Sequence, residues 1–305
     1  MSYPKITLSN GDLQADVFLP DAAEGFYQGP RFDWSGMMDQ IRWEGHTFLC
    51  SSDITQDKDF RACGTAEELC MGILGTPGPL GYDQAEIGEG FIKPGVGILE
   101  KHTDDAYQFE QPHKIIQPGS WDIRHGEDWI EFRQEIDDVK GWGYRYTKRV
   151  SVSGDKPEVV IARELENVGS REIDTTHYCH NFMLFDDEPV GPDYIIRLPF
   201  APKIGDEEFF GRVATDDNDI VFSQAIPVGD FAWGVFTGFD EAADYAFELA
   251  NTKTQTAVRI SGNSPLLRFH LYCQQAMICP EPFVRLLAKP GEKTQWQTTY
   301  ALKHL

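Results

Sequence analysis

The stretch YRYTKRVSVSGDKPEVVIARELENVG, residues 144–169, alternates apolar and polar side chains with a period of two. This period is typical of β-strands that bury one face, and the Gly-Asp-Lys-Pro run in its middle is typical of a turn. The stretch therefore predicts two strands joined by a turn rather than an amphipathic helix.

The same pattern extends outward in both directions along the chain. KITLSNGDLQADVFLP (5–20) alternates around an Asn-Gly turn, which is a strong hairpin signal, and MMDQIRWEGHTFLC (37–50) predicts two short strands around Glu44-Gly45. Short strands at this spacing predict an all-β chain, a large antiparallel β-sandwich or barrel. We predict one domain over residues 1–305, in which the residues after 150 are candidates for a second sheet layer.

Two segments depart from the strand pattern. CGTAEELCMGI (63–73) has the composition of a short helix, and residues 61–97 are rich in loop-forming Gly and Pro. Long ordered loops on a β scaffold usually carry binding residues or cover the sandwich.

The net charge of the chain argues against two classes of binding partner. Its 305 residues include 49 acidic and 27 basic side chains, a net charge of −22, which argues against binding to nucleic acid or to an anionic membrane surface. No apolar run approaches the roughly 18 residues of a membrane helix. Six cysteines without metal-site spacing, and an N-terminus without the pattern of a secretory signal, predict reduced thiols and a cytoplasmic location.

Motifs for phosphate cradles, dinucleotide turns, nucleophile elbows and zinc helices are absent from the sequence. The densest polar cluster is THYCHNF (176–182). On a strand, His177 and His180 point to opposite faces, so together they chelate one metal poorly. We expect one of them to face a cleft and the other to be buried and hydrogen-bonded, although a structural role remains open for each.

A second cluster, FHLYCQQAMICPEPF (269–283), places Glu281 between Pro280 and Pro282. The two prolines lack backbone donors, which predicts a sheet edge or a strand end. A carboxylate held beside aromatic rings can have a raised pKa and act as a base, whereas the simpler interpretation is a solvated turn residue.

A third cluster, GFYQGPRFDWSGMM (25–38), puts Arg31 and Asp33 on one face of a predicted strand among aromatic rings. Such a set can hold a polyhydroxylated ring, but it can equally be an ion pair that covers an aromatic core. Weaker candidates are charged residues, because a charged side chain in a loop is usually only exposed to solvent. They are Glu67, Glu68, Glu89 and Lys93 in the loop-rich segment, and Asp244.

Together these motifs resemble the galactose mutarotase-like (aldose 1-epimerase) superfamily along the whole chain. HYCHNFML is similar to the strand that carries the acid histidine, with His180 at its place. DYAFEL resembles the segment of a sugar-binding aspartate, which corresponds to Asp244, and ICPEPF resembles the strand that bears the base, which corresponds to Glu281. FDWSGMMDQIRWEGHTFL and LAKPGEKTQWQTTYAL resemble the early hairpin and the closing strand, and YQGPRFDWSG is similar to a signature of an uncharacterised bacterial branch.

The sequence also departs from that superfamily. EGFIK occupies the place of an H-G-F-x-R motif, so Glu89 stands for a histidine and Lys93 for the basic residue. The N-H dipeptide becomes Cys179-His180. A protein with these changes could bind a different sugar or catalyse a different reaction.

The resemblance implies a supersandwich fold and a mutarotase that acts on a small-molecule sugar. Glu281 would be the base and His180 the acid, the latter protonated and with its pKa raised by Asp244. Arg31, Asp33 and Asp244 would orient hydroxyl groups, and no metal or organic cofactor is implied. The sequence specifies neither the sugar nor the oligomeric state.

Three further functions remain open at this point. One is a lyase, hydratase or epimerase on an acidic or keto sugar, in which Lys93, His113 and His177 would join the site. A metal on His180, His113 and a glutamate is conceivable there. The second is a carbohydrate-binding protein without catalysis, and the third is an unrelated structural sandwich.

Overall fold

A computed structural model of the chain describes residues 3–52, 61–73, 75–153, 156–240 and 244–305. The described residues form 23 β-strands and no α-helix. None of them belongs to a helix with the length and hydropathy that a membrane crossing requires. The strands are β1 (Lys5–Asn10), β2 (Leu13–Phe18), β3 (Met38–Trp43), β4 (His46–Thr47), β5 (Thr65–Leu69), β6 (Gly90–Lys93), β7 (Gly97–Glu100), β8 (Ile115–Pro118), β9 (Asp122–His125), β10 (Trp129–Val139), β11 (Trp142–Val152), β12 (Glu158–Asn167), β13 (Ile173–Asn181), β14 (Tyr194–Arg197), β15 (Lys203–Glu208), β16 (Val213–Asp216), β17 (Asp219–Phe222), β18 (Phe231–Thr237), β19 (Ala246–Asn251), β20 (Thr256–Gly262), β21 (Arg268–Gln274), β22 (Met277–Ala288) and β23 (Lys293–His304).

Two large antiparallel sheets form the body of the molecule. One has ten strands in the order β16-β17-β14-β19-β20-β23-β12-β11-β10-β9, and the other has six in the order β15-β18-β21-β22-β13-β5. Smaller sheets are β1-β2-β3-β4 and β6-β7-β8. The all-β prediction is confirmed. Each large sheet combines strands from before and after residue 150, so the later residues do not form a layer of their own.

The two large sheets pack face to face, and alternation along each strand decides what lies between them. In β11, for example, Tyr144, Tyr146, Lys148 and Val150 are buried while the residues between them are more exposed. Side chains also bond across the gap, since the hydroxyl of Tyr300 on β23 donates to Asn181 Oδ1 on β13 at 2.7 Å. The opposite face of the six-stranded sheet is therefore free to line a cavity.

Both hairpins predicted near the N-terminus are present. Lys5–Asn10 pairs with Leu13–Phe18, and Met38–Trp43 pairs with His46–Thr47. Glu44 and Gly45 have φ of 49° and 86°, the left-handed values that a tight two-residue hairpin turn needs.

The short helix predicted over residues 63–73 is wrong, because this segment contains strand β5. Its backbone pairs with β13, with Glu68 opposite Tyr178 and Glu67 opposite Cys179. Ala, Glu and Leu favour a helix by intrinsic propensity, but sheet pairing overrides a preference of this size. Both glutamates are buried, one on each face of the sheet, and each is neutralised by cations there.

The prolines around Glu281 lie inside strand β22 and not at an edge of the sheet. β22 runs between β21 and β13, and its ladder with β13 ends at the Tyr178–Phe283 pair. The carbonyl of Pro280 faces β13, where it accepts a hydrogen bond from the Asn181 side chain at 2.7 Å. Residues two apart point the same way, so the missing donors of Pro280 and Pro282 both face β13. The prediction of an edge or a strand end is thus corrected: the strand continues, and only its ladder with β13 ends there.

Candidate functional site

A cavity of about 740 Å³ lies on the outer face of the six-stranded sheet. This size is within the usual range for small-molecule sites. The sheet supplies the floor of the cavity with His180 from β13, Tyr272 from β21 and Glu281 from β22. Irregular segments cover it, and they contribute Arg31 and Phe109 to the wall.

The register of β13 and β22 places His180 directly across from Glu281. Tyr178 pairs with Phe283, so two residues further along β13 the same antiparallel register reaches Glu281. His180 Nε2 lies 3.1 Å from Glu281 Oε1, and both side chains are nearly buried, at 12% and 7% exposure. The imidazole stacks on Phe182 with ring centroids 4.2 Å apart, which fixes its plane.

Burial sets the protonation of this pair. Desolvation raises the pKa of Glu281 to about 8, a shift that Arg31 opposes and Glu68 reinforces. Desolvation, and then the charge of Arg31, holds the pKa of His180 well below its ordinary value. At neutral pH the pair is therefore a carboxylic acid beside a neutral imidazole, with Oε1 and Nε2 3.1 Å apart.

This protonation reverses the expectation from the sequence, in which His180 was charged and Glu281 ionised. The carboxylate expected to raise the pKa of His180 was Asp244, but Asp244 is not among the residues that line the cavity. Its Oδ2 accepts a hydrogen bond from the backbone N–H of Asp240 at 2.7 Å. Glu281 itself is the carboxyl group beside the histidine.

Arg31 is held rigidly at the cavity wall. Its Nε donates to Glu68 Oε2 at 2.9 Å and its Nη2 donates to the Tyr178 hydroxyl at 2.8 Å. The guanidinium carbon lies 4.5 Å from the ring centre of Phe32 and 4.3 Å from that of Phe109. A planar cation between two rings has little freedom, so its position relative to the pair is fixed before any ligand binds.

Lys93 lies behind the cavity wall, where it contacts Glu68, and it does not reach the cavity. Its Nζ is fully buried and donates to Glu68 Oε1 at 2.8 Å and to the Cys70 carbonyl at 3.1 Å. Burial would raise the pKa of Glu68, but Lys93 and Arg31 lower it below its ordinary value. Lys93 is thus a second cation on the carboxylate that holds Arg31, and its expected role as a direct sugar ligand is corrected.

Two further expected site residues lie on the interior side of the sheet. Asp33 accepts hydrogen bonds from Lys148 Nζ and the Tyr146 hydroxyl, each at 3.0 Å, and it is fully buried. Residues 31–33 are not in a strand, so Arg31 and Asp33 do not share a face. His177 lies 3.0 Å from Glu67 in the same interior, as expected for the buried histidine of the two.

Two other expected residues also lie outside the cavity lining. Glu89 has a side chain that is 43% exposed, and it forms an ion pair with Lys140. His113 stacks on Tyr107 with ring centroids 5.0 Å apart and also contacts His102. In the described residues no group of three or more His, Cys, Asp or Glu side chains could hold a metal ion, and the set of His180, His113 and a glutamate is not assembled.

Sequence reasoning missed His270, which is the residue across from Glu281 on β21. The two are paired in the β21–β22 ladder, and His270 Nδ1 lies 4.0 Å from Glu281 Oε2. Burial lowers its pKa to about 4, so it is neutral near pH 7. A hairpin turn at Gln275-Ala276 would have predicted this pair by counting outward from it.

Comparison with known proteins identifies the fold. No protein family matches the chain, and neither does any curated protein sequence. Solved structures do match it over nearly their whole length. A protein from Synechocystis sp. PCC 6803 has 11% identity and a TM-score of 0.60, with 100% of this chain and 97% of that chain covered. A galactose mutarotase related enzyme from Lactobacillus acidophilus has 10% identity and a TM-score of 0.56, with 98% and 97% covered.

A third neighbour is the GalM/aldose epimerase homologue from C. elegans, with 10% identity, a TM-score of 0.55 and 100% of both chains covered. At such low identity these likenesses show the fold alone. The chain has the galactose mutarotase-like fold, as the order of motifs in the sequence predicted.

Proposed function

We propose that this protein, a chain with the galactose mutarotase-like fold, interconverts the anomers of an aldose by acid–base catalysis at His180 and Glu281. The observation that carries the proposal is the buried 3.1 Å contact between these two groups on the floor of a cavity of about 740 Å³. Anomer exchange needs one group that accepts a proton and one that donates a proton, close together and shielded from water.

The reaction balances with the single proton that the pair holds. His180 Nε2 takes the proton of the anomeric hydroxyl while the Glu281 carboxylic acid protonates the ring oxygen, and the bond between the anomeric carbon and the ring oxygen breaks. Rotation about the bond to the resulting aldehyde carbon exposes its other face. Ring closure then returns each proton to the group that gave it, so the enzyme ends as it began.

These roles are opposite to those that the sequence resemblance implied, and the raised pKa of Glu281 is the reason for the exchange. Substrate must separate the two groups, because a 3.1 Å contact leaves no room between them for the two sugar oxygens. Arg31 and the rings of Phe109 and Tyr272 remain available for the rest of the sugar, through hydrogen bonds at its edge and stacking on its face.

A carbohydrate-binding protein without catalysis is the second candidate. The same close contact favours it, because His180 and Glu281 face one another and leave no space between them for a sugar. In that case Arg31 and the aromatic rings would determine affinity, and the proton of Glu281 would be irrelevant.

Exchange NMR on a panel of equilibrated aldoses tests the proposal, because it measures anomer interconversion directly. We expect the wild-type protein to accelerate exchange of at least one sugar, and Glu281→Gln to lower that rate by about 10²–10⁴-fold. The glutamine is neutral and has nearly the size of the carboxylic acid, but it has no acidic proton to transfer, so sugar affinity should change only a few-fold.

Glu89→Gln is the matched control, since it makes the same chemical change at an exposed residue outside the cavity. It should leave the rate within a few-fold of wild type. A Glu281→Gln protein with full activity would refute the assignment of the acid. Sugar binding with no acceleration in the wild type would favour the binding protein.

A further inference from the structure

The charges behind the cavity wall do not cancel. Two buried or half-buried cations, Arg31 and Lys93, share the one carboxylate of Glu68 at 2.9 and 2.8 Å. Glu68 and Lys93 are fully buried, so neither water nor a counter-ion from solvent reaches them to compensate the excess positive charge. This group of three side chains carries one net positive charge, and Arg31 is its member at the cavity.

The remaining described groups of the lining do not remove that charge from the interior. His180 and Glu281 are neutral as a unit while they hold one proton between them, and neutral His270 adds no charge. Glu110 is the remaining carboxylate of the described lining, and it is exposed, so water and salt screen its charge. The net charge of −22 acts on a ligand from outside and is screened in the same way.

Arg31 also has hydrogen-bonding capacity to spare. Its Nε and Nη2 are used by Glu68 and Tyr178, while Nη1 has no hydrogen-bond partner among the described residues. The side chain is 25% exposed, whereas its carboxylate partner is fully buried. A guanidinium held between two phenyl rings, with one amino group unused, is suited to an anionic oxygen.

We infer that the sugar bound in this cavity carries an anionic group, a carboxylate or a phosphate, and that Arg31 binds it. The inference deepens the proposed function and rests on it for the sugar ring. The cavity has room for the additional group, since about 740 Å³ is more than a single hexose ring fills.

Calorimetric titration with matched pairs of sugars tests this inference without any need for turnover. D-Galacturonate is compared with D-galactose, and D-glucuronate and D-glucose 6-phosphate with D-glucose, on the wild-type protein, Arg31→Gln and Glu89→Gln. We expect at least one anionic sugar to bind at least about tenfold more tightly than its neutral partner, because hydrogen bonds to charged groups are stronger than neutral ones. Arg31→Gln should bring that ratio close to one, and Glu89→Gln should preserve it.

The tighter of the carboxylate and phosphate ligands identifies the source of the anion. Equal affinities for neutral and anionic sugars in the wild-type protein would overturn the inference, as would a preference that survives in Arg31→Gln. If Arg31→Gln fails to fold, the wild-type ratios and Arg31→Lys, which keeps the charge and should retain the preference, decide the matter.

Anomer exchange measured on the same ligands separates this inference from the proposed function. Exchange of neutral sugars without any anion preference would overturn the inference alone. Tight binding of an anionic sugar without exchange would overturn the proposed function and support the inference for the ligand. Absence of binding for every sugar of the panel would overturn both.

Discussion

Strand β13 carries two histidine–glutamate pairs, one on each face of the sheet. On the cavity face His180 Nε2 lies 3.1 Å from Glu281, and on the interior face His177 Nε2 lies 3.0 Å from Glu67. The residue types, the distances and the degree of burial are almost the same. What differs is the charge around each pair, and this difference decides where the proton resides.

The interior pair lies among strong cations. Burial would raise the pKa of Glu67, but Arg163 and Lys148 hold it well below its ordinary value. Burial lowers the pKa of His177 to about 4, so it is neutral and donates to an ionised carboxylate. Glu281 has no direct cation partner among the described residues, and it keeps its proton to about pH 8. The contrast shows that a close histidine and glutamate become a proton-transfer pair only where neighbouring cations do not lock the carboxylate in its ionised form.

The sharpest test of this contrast is the same substitution in both pairs. Glu67→Gln should destabilise the protein by about 3–5 kcal/mol, because it removes the carboxylate that Arg163 and Lys148 share and leaves only Asp33, which contacts Lys148 and not Arg163. Glu281→Gln should not reduce stability at pH 7, since it replaces a neutral acid by a neutral amide. Urea unfolding of both variants and of the wild type measures the difference.

Equal losses of stability in the two variants would contradict the contrast, because Glu281 would then behave as a structural ion. Glu89→Gln is the baseline for an exposed carboxylate and should change the free energy of unfolding little.

The pH dependence of stability gives a second, somewhat smaller effect. Between the ordinary pKa of 4.5 and about 8, the folded chain holds a proton on Glu281 that the unfolded chain has lost. The free energy of unfolding contributed by this group therefore falls as pH rises through that window, and it is constant above it.

Glu281→Gln lacks this titration. The difference in free energy of unfolding between Glu281→Gln and the wild type should therefore grow in favour of the variant by about 2–4 kcal/mol from pH 5 to pH 8. This figure follows from about 1.4 kcal/mol for each pH unit over which the group carries a proton only in the folded protein. His180 titrates in both proteins, so the difference isolates Glu281. Parallel stability curves across this range would show that Glu281 is ionised in the folded protein, and the proposed proton assignment would fail.

Much of the fold follows from patterns that are local in the chain. The hairpin at Asn10-Gly11 and the one at Glu44-Gly45 were predictable because turn residues and alternation lie next to one another. Strand β5 was not, since its two glutamates are buried only through cations on strands far away in sequence. Local secondary-structure propensity cannot predict an ion-pair partner such as Arg163, which is 96 residues from Glu67 in the sequence.

The candidate site likewise has features that local sequence predicts and features that it does not. Alternation within THYCHNF correctly predicted that His177 and His180 point to opposite faces, and a short motif drew attention to Glu281. Nothing local distinguishes Arg31, which faces the cavity, from Asp33, which faces the interior, because the irregular segment between them has no period. The protonation of His180 and Glu281 was also out of reach, since it depends on burial and on charges that only the folded chain brings near.

The smallest of the expected effects concerns the pH dependence of activity. Loss of the one proton shared by His180 and Glu281 should reduce kcat/KM for anomer exchange about tenfold per pH unit above about pH 8. Activity should also fall in acid, at a pH well below 6.5, where His180 gains a proton. Exchange NMR with the uncatalysed rate subtracted at each pH measures both limbs, and Glu89→Gln should reproduce the wild-type profile.

The rate profile counts protons on the pair but does not say which group holds them, because a neutral acid beside a neutral imidazole has the same proton count as an ion pair. The infrared carbonyl band of a protonated carboxylic acid separates the two forms. That band should be present in the wild-type protein at pH 7 and absent from Glu281→Gln. Activity that continues to rise beyond pH 9 would mean that the pair acts only as a base, and the two faces of β13 would then differ less than their charges indicate.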